Sequence, residues 1–271
     1  MALLQVNYFS KSLRRITTFN TLLPLDTYGT PEQNETFRQP VKALYLLHGY
    51  TGNYTDWVCG SIIRELSSKY NIAVFMPSGD NFFYLDDTDM GALYSEFVGN
   101  ELVEFTRKMF PLSGNREDTF IGGLSMGGYG AIRNGLKYSH NFSRIIALSS
   151  ALITYKIAGI KPGFKDMVAD YNYYARVFGD PDSLLGSDRD PEAIIVKMKK
   201  EGLSIPEIYM ACGTEDFLLN ENRRFHEFLV SEGVEHTYIE SPGAHDWKFW
   251  NEHIEKGIEW SLFNENKLNK H

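Results

Sequence analysis

The chain has 271 residues, 43% of them hydrophobic and 23% charged, which excludes a disordered or fibrous protein. Its 35 Asp and Glu outnumber 27 Lys and Arg, giving a net charge of −8 with no basic run, so neither nucleic acid nor an anionic membrane surface is an expected partner. Two cysteines, Cys59 and Cys212, are too few for a disulfide framework, and no stretch approaches the ~20 apolar residues that span a bilayer.

The N-terminal MALLQVNYFSKSLRR has no charged segment followed by a long apolar run and does not read as a signal peptide, so a cytoplasmic protein with free thiols is expected. Residues 5–25 alternate in polarity around a break at Ser10–Ser12 and predict a β-hairpin. Residues 26–40, rich in Pro, Thr and polar groups, predict a loop. Short apolar runs then recur at Ala43–Leu47, Ile72–Met76, Thr119–Gly122, Ile145–Leu148, Ile208–Ala211 and Thr237–Glu240. The first four are almost continuously apolar, as strands buried on both faces of a parallel sheet must be. Helical patterns lie between them. In Gly91–Phe110, the residues Phe97, Val98, Leu102, Phe105 and Met109 share one face, and Leu218, Leu219, Phe225, Phe228 and Leu229 do so later. Strands alternating with helices imply right-handed βαβ crossovers and one doubly wound, mostly parallel α/β domain over 1–271. Residues 151–190 break the rhythm with Tyr155, Phe164, Met167, Tyr171, Tyr173, Tyr174 and Phe178 among scattered glycines. So long an insertion between strands predicts a cap that lines a pocket.

Gly123-Leu124-Ser125-Met126-Gly127 is a G-x-S-x-G pentapeptide with an apolar strand before it and a plausible helix after it. A nucleophile elbow needs that strand–turn–helix setting, because glycines on either side let strand and helix crowd a sharply turned serine. Serine needs a positioned imidazole to act as a nucleophile. Of seven histidines, His48 precedes Ser125, and His140, His226, His236, His253 and His271 fall in helix-like, strand-like or terminal settings. His245 alone sits in a loop after the last strand, where ligands gather in an open α/β sheet. The acid is expected in the loop after Ile208–Gly213. Asp216 is the choice for holding the imidazole, with neighbouring Glu215 the alternative and otherwise a helix-capping charge. Asp246 is expected in the first turn of the last helix. Oxyanion donors are expected from the backbone N–H of Met126 and, in the turn after the first long strand, of Tyr50, next to Gly49; His48 is then structural. Trp57, Tyr84 and Tyr94 are candidate substrate contacts, and the packing of these residues and of Phe83 sets the pocket size. No H-E-x-x-H or paired-cysteine spacing occurs, so neither metal nor other cofactor is expected.

LLHGYTGNYTDW (46–57), MPSGDNFFYLDD (76–87), GGLSMGGYGA (122–131), ACGTEDFLL (211–219) and GAHDWKFW (243–250) together resemble the esterase D group of α/β-hydrolases, and within it small bacterial carboxylesterases of the tributyrin-esterase type. The resemblance runs in order through nearly the whole chain. It implies the α/β-hydrolase fold, a cytosolic serine carboxylesterase acting on short-chain acyl esters, the triad Ser125, Asp216 and His245, and a homo-oligomer. Relatives of that group include S-formylglutathione hydrolases, feruloyl and acetyl-xylan esterases and acyltransferases; the S-formylglutathione enzymes typically carry a cysteine near the His-Gly turn, whereas Cys59 here lies several residues late.

Overall fold

In a computed structural model the chain is described over residues 1–25 and 40–263. The loop expected at 26–40 lies, except for residue 40, outside the described residues, as does His271. An eight-stranded sheet, ordered β1-β2-β4-β3-β7-β8-β9-β10, carries the architecture. Its strands are β1 (Ala2–Ser10), β2 (Arg15–Leu23), β3 (Lys42–Leu47), β4 (Ile72–Pro77), β7 (Thr119–Leu124), β8 (Arg144–Leu148), β9 (Glu207–Gly213) and β10 (His236–Ser241). Strands β5 (Asp86–Asp87) and β6 (Ala92–Leu93) form a separate two-stranded ribbon. The hairpin β1–β2 pairs antiparallel, and β2 runs antiparallel to β4; every pairing from β4 to β10 is parallel. Each apolar run read from the sequence is a strand. Those of β3, β4, β7 and β8 are buried almost throughout because helices cover both faces.

One face carries α1 (Asp56–Gly60), α2 (Ile63–Tyr70) and α9 (Trp247–Phe263), packed on Leu44, Leu46, Val74 and Ile146. The other carries α3 (Leu102–Met109), α4 (Met126–Lys137), α7 (Pro191–Lys200) and α8 (Leu219–Ser231), packed on Tyr45, Phe75, Ile121 and Ile145. A π turn over Phe97–Glu101 leads into α3. A π turn spends an extra residue, which shifts the face read from the sequence: Phe97, Val98 and Leu102 are buried, but Met109 is 52% exposed.

The insertion is more helical than its glycines suggest, with α5 (Thr154–Ile157) and α6 (Tyr171–Phe178). Asp170 caps α6 by accepting from Tyr173 N–H at 3.0 Å. The insertion is held to the sheet side at several points. Arg176 pairs with Asp87 at 2.6 Å, Tyr173 donates to Asn81 O at 2.5 Å, and Phe178 packs on Phe83 and Tyr129. At its far end the buried Arg133 of α4 pairs with Asp188 at 2.6 Å. None of the described helices is long and apolar enough to cross a membrane.

Candidate active site

Strand β7 delivers Ser125 at the carboxyl edge of the sheet, and α4 begins at the next residue. Ser125 has φ 55° and ψ −119°, a conformation that a residue with a side chain adopts only under constraint. Its N–H donates to Leu148 O at 2.9 Å, and its carbonyl accepts from Ala151 N–H at 2.9 Å and Tyr129 N–H at 3.1 Å. Two glycines make the bend possible. A Cβ on Gly127 would lie 2.4 Å from Leu47 O, and one on Gly123 would lie 2.4 Å from Gly127 O.

His245 reaches the same point from the loop between β10 and α9. Ser125 Oγ lies 3.0 Å from His245 Nε2, and His245 Nδ1 lies 2.8 Å from Asp216 Oδ2. With the carboxylate on Nδ1, that nitrogen carries the proton and Nε2 is left to accept from the serine. The structure thus brings together the three residues read from the sequence. Asp216 is buried, and burial pushes its carboxyl up; the bonds from His245, from Leu218 N–H at 2.9 Å and from the Ser149 hydroxyl outweigh this and hold it below the ordinary value. Glu215 is not a helix cap. Its carboxylate accepts from Gly243 N–H at 2.5 Å, and its own N–H donates to Gly243 O at 3.0 Å, so it clamps the loop that carries His245. The Gly243 bond is also what holds the Glu215 carboxyl low. Asp246 accepts from Phe249 N–H at 3.0 Å and caps α9.

His48 is buried and structural. Its Nδ1 donates to Gly49 O at 2.7 Å and its Nε2 accepts from Gly79 N–H at 2.9 Å, while burial holds the ring below the usual imidazole range. Both expected oxyanion donors border the cavity over Ser125. Met126 opens α4, so its N–H is among those that a helix leaves without an internal acceptor, at the positive end of the helix dipole.

That cavity measures about 330 Å³ and is walled mainly by apolar side chains, among them Phe83, Leu124, Ile153, Leu218 and Trp250. The insertion supplies Ala151, Ile153, Lys156, Asp166, Val168 and Tyr174, so it lines the pocket as expected. Three expected substrate contacts are corrected. Trp57 is buried behind the wall, donating to Leu47 O at 3.0 Å and packing edge-on against Trp247, and it is Trp247 that lines the cavity. Tyr84 is buried and donates to His48 O at 3.0 Å. Tyr94 is buried and bonds Arg15 and Asp80. Each of these hydroxyls or indoles is consumed by the scaffold, as buried polar groups generally are. Phe83 alone of that aromatic group reaches the cavity.

Residues not read from the sequence complete the surroundings of the imidazole. Phe217 packs on it at 4.5 Å between ring centroids, and Trp250 meets it edge-on at 5.0 Å. Trp250 Nε1 donates to the buried Ser149 Oγ at 3.1 Å. A signal was present in each motif: Phe217 directly follows Asp216, and Trp247 and Trp250 follow His245 within five residues.

The model of the Esterase family, described as "Putative esterase", matches residues 10–260. An acetyl esterase of Caldicellulosiruptor saccharolyticus is 56% identical over 260 residues, covering 96% of this chain and 98% of that protein. Among solved structures, the substrate-bound serine hydrolase FphF of Staphylococcus aureus superposes with a TM-score of 0.83 at 27% identity, over 96% of this chain and 98% of that one. The S-formylglutathione hydrolase FrmB of the same organism gives 0.80 at 27% identity, with the same coverage. The chain has the α/β-hydrolase fold, belongs to the Esterase family and is a carboxylic ester hydrolase.

Proposed function

We propose that the protein hydrolyses short-chain acyl esters, acetyl esters first among them, through an acyl-enzyme on Ser125. The observation that carries this reading is the chain of contacts from Ser125 Oγ to His245 Nε2 and from His245 Nδ1 to Asp216, set at the floor of a mostly apolar cavity. Ser125 Oγ attacks the ester carbonyl carbon while His245 Nε2 takes its proton. Asp216 keeps the imidazole in the tautomer that can accept and stabilises the imidazolium. The oxyanion of the tetrahedral intermediate is met by the N–H groups of Tyr50 and Met126, a donor of this kind being worth about 3 kcal/mol of barrier. Collapse breaks the ester C–O bond, and His245 returns the proton to the departing alcohol. Water, activated by the same imidazole, then attacks the acyl-enzyme, which releases the acid and frees Ser125.

The acetyl preference is supported by the 56% identical acetyl esterase, and the motifs around Ser125, Asp216 and His245 support a likeness to the esterase D group and the tributyrin-esterase type. The same reading takes the protein to be a cytoplasmic homo-oligomer, which fractionation and sedimentation test. The test of the reaction is turnover of p-nitrophenyl esters from acetate to octanoate by wild type and Ser125→Ala. We expect rates highest at two to four acyl carbons and a loss of at least about 10⁴-fold in the variant. Equal rates in the two proteins overturn the reading. A second reading, thioester hydrolysis, is favoured by the similarity to FrmB; a preference for S-formylglutathione over p-nitrophenyl acetate would select it.

A further inference from the structure

A short acyl group occupies a small part of a cavity of about 330 Å³, so the remaining wall faces the alcohol half of the ester. Among the described residues that line this wall, one side chain is cationic, Lys156. Its backbone is fixed, because Thr154 and Ile157 on either side of it in α5 are buried. Among the described residues its ammonium has one partner, Asp166 Oδ2, at 3.9 Å, the outer limit of an ion pair and beyond hydrogen-bond reach. Asp166 is meanwhile committed elsewhere. It accepts from Val168 N–H at 2.8 Å, from Ala169 N–H at 2.9 Å and from the Tyr174 hydroxyl at 3.0 Å. The other carboxylate of the wall, Asp56, accepts from Asn53 N–H at 3.2 Å. The two acids are therefore occupied with holding their own loops, whereas the lysine presents three N–H donors with no acceptor in hydrogen-bond range among the described residues.

We propose that Lys156 is a specificity-determining residue, and that the preferred substrates are esters whose alcohol half carries a negative charge, a carboxylate or phosphate that the ammonium meets at the cavity wall. The proposal rests on the Ser125 reading above. The Lys156 side chain is half exposed, so it is free to turn towards such a group in a charge-assisted bond that salt can screen. The neighbouring Asp166 sets its limit, since any anion that approaches Lys156 also approaches that carboxylate. Acidic wall residues would otherwise make the cavity favour cationic esters, so the sign of the preference is diagnostic.

The experiment compares kcat/KM for three acetates of one shape: phenyl acetate, 4-acetoxybenzoate and the 4-acetoxy-N,N,N-trimethylanilinium ion. Ratios between substrates are taken within each protein and then compared between proteins, which cancels their intrinsic reactivities. From wild type to Lys156→Gln, the ratio of anionic to neutral ester is expected to fall about tenfold and that of cationic to neutral ester to rise, while Lys156→Arg restores most of the anionic ratio. In wild type itself, raising ionic strength from 20 mM to 500 mM is expected to shrink the anionic preference through screening. An anionic-to-neutral ratio that moves less than twofold in Lys156→Gln, or that is indifferent to salt in wild type, overturns the proposal. If Ser125→Ala still turns over phenyl acetate, the Ser125 reading fails instead. If that variant is inactive and the ratios do not move, the charge preference alone fails.

Discussion

A serine held at φ 55° costs the fold about 1–3 kcal/mol that a glycine would not spend. The site therefore trades stability for the exposure of one hydroxyl, and the trade can be measured. Ser125→Gly should be more stable than Ser125→Ala by about 1 kcal/mol, since glycine enters the positive-φ region freely. Both should be inactive. Urea midpoints check this, and a glycine variant no more stable than the alanine one would show that the bend is unstrained. The adjacent carboxylates separate in the same way. Asp216→Asn removes the acceptor that fixes the His245 tautomer and should cut kcat by about 10⁴-fold, a size measured in the serine proteases. Glu215→Gln leaves the imidazole untouched and loosens only the Gly243 clamp, so a loss below about tenfold is expected from rates on p-nitrophenyl acetate. The residue scale also shows what a sequence hides. Ser125 and His245 were legible because strand–turn–helix flanks and chain order are local. Trp57, Tyr84 and Tyr94 were misread because nothing local says that Leu47 O, His48 O and Asp80 will claim their polar ends.

Elements were legible wherever one physical signal dominated. The runs in β3, β4, β7 and β8 are apolar on both faces because both faces are covered, and they read as strands at once. The β5–β6 ribbon has two residues a side, and the π turn at Phe97–Glu101 leaves no mark in a helical period, so neither could be seen. The insertion read only as a break in the strand–helix rhythm, because its glycines outweighed the short amphipathic α6 between them. Helix α9 carries a titration that follows from its packing. His253 is fully buried, stacked on Phe249 at 4.2 Å, with Nε2 3.0 Å from Ser241 Oγ and Nδ1 3.3 Å from Tyr209 OH. Burial, aided by Lys256, pushes its pKa down to about 4 from 6.5. Between those values the unfolded chain binds a proton that the folded chain refuses, so stability rises with pH there. The contribution is complete above about pH 6.5 and fades as pH falls towards 4. Unfolding free energies at pH 7 and pH 4.5 should differ by ~2 kcal/mol more in wild type than in His253→Gln. An equal pH slope in both proteins would exclude His253 as the source.

At the scale of the whole molecule, early and late segments are interleaved. The C-terminal α9 docks against α2, which precedes it by some 180 residues: Lys69 pairs with Glu255 at 2.7 Å, and Ile62 N–H donates to Asn251 Oδ1 at 2.9 Å. Arg144 at the start of β8 donates to Ser261 O at 2.5 Å near the end of the chain. On the opposite face, α4 is packed on β7 and β8 and tied to the end of the insertion through Arg133 and Asp188. Each helical layer thus closes on the same central strands, and neither has a sheet of its own to fold on. This arrangement predicts that the layers unfold together. Trp57, Trp247 and Trp250 pack in the α2–α9 layer, with Trp260 against its edge, so indole fluorescence reports that layer, whereas far-UV circular dichroism reports helices on both faces. The two signals should give coincident urea transitions with the same midpoint and slope. Were the fluorescence transition to precede the other by more than about 0.5 M urea, the α2–α9 layer would be a separable unit and the central strands would not be the shared foundation of both faces.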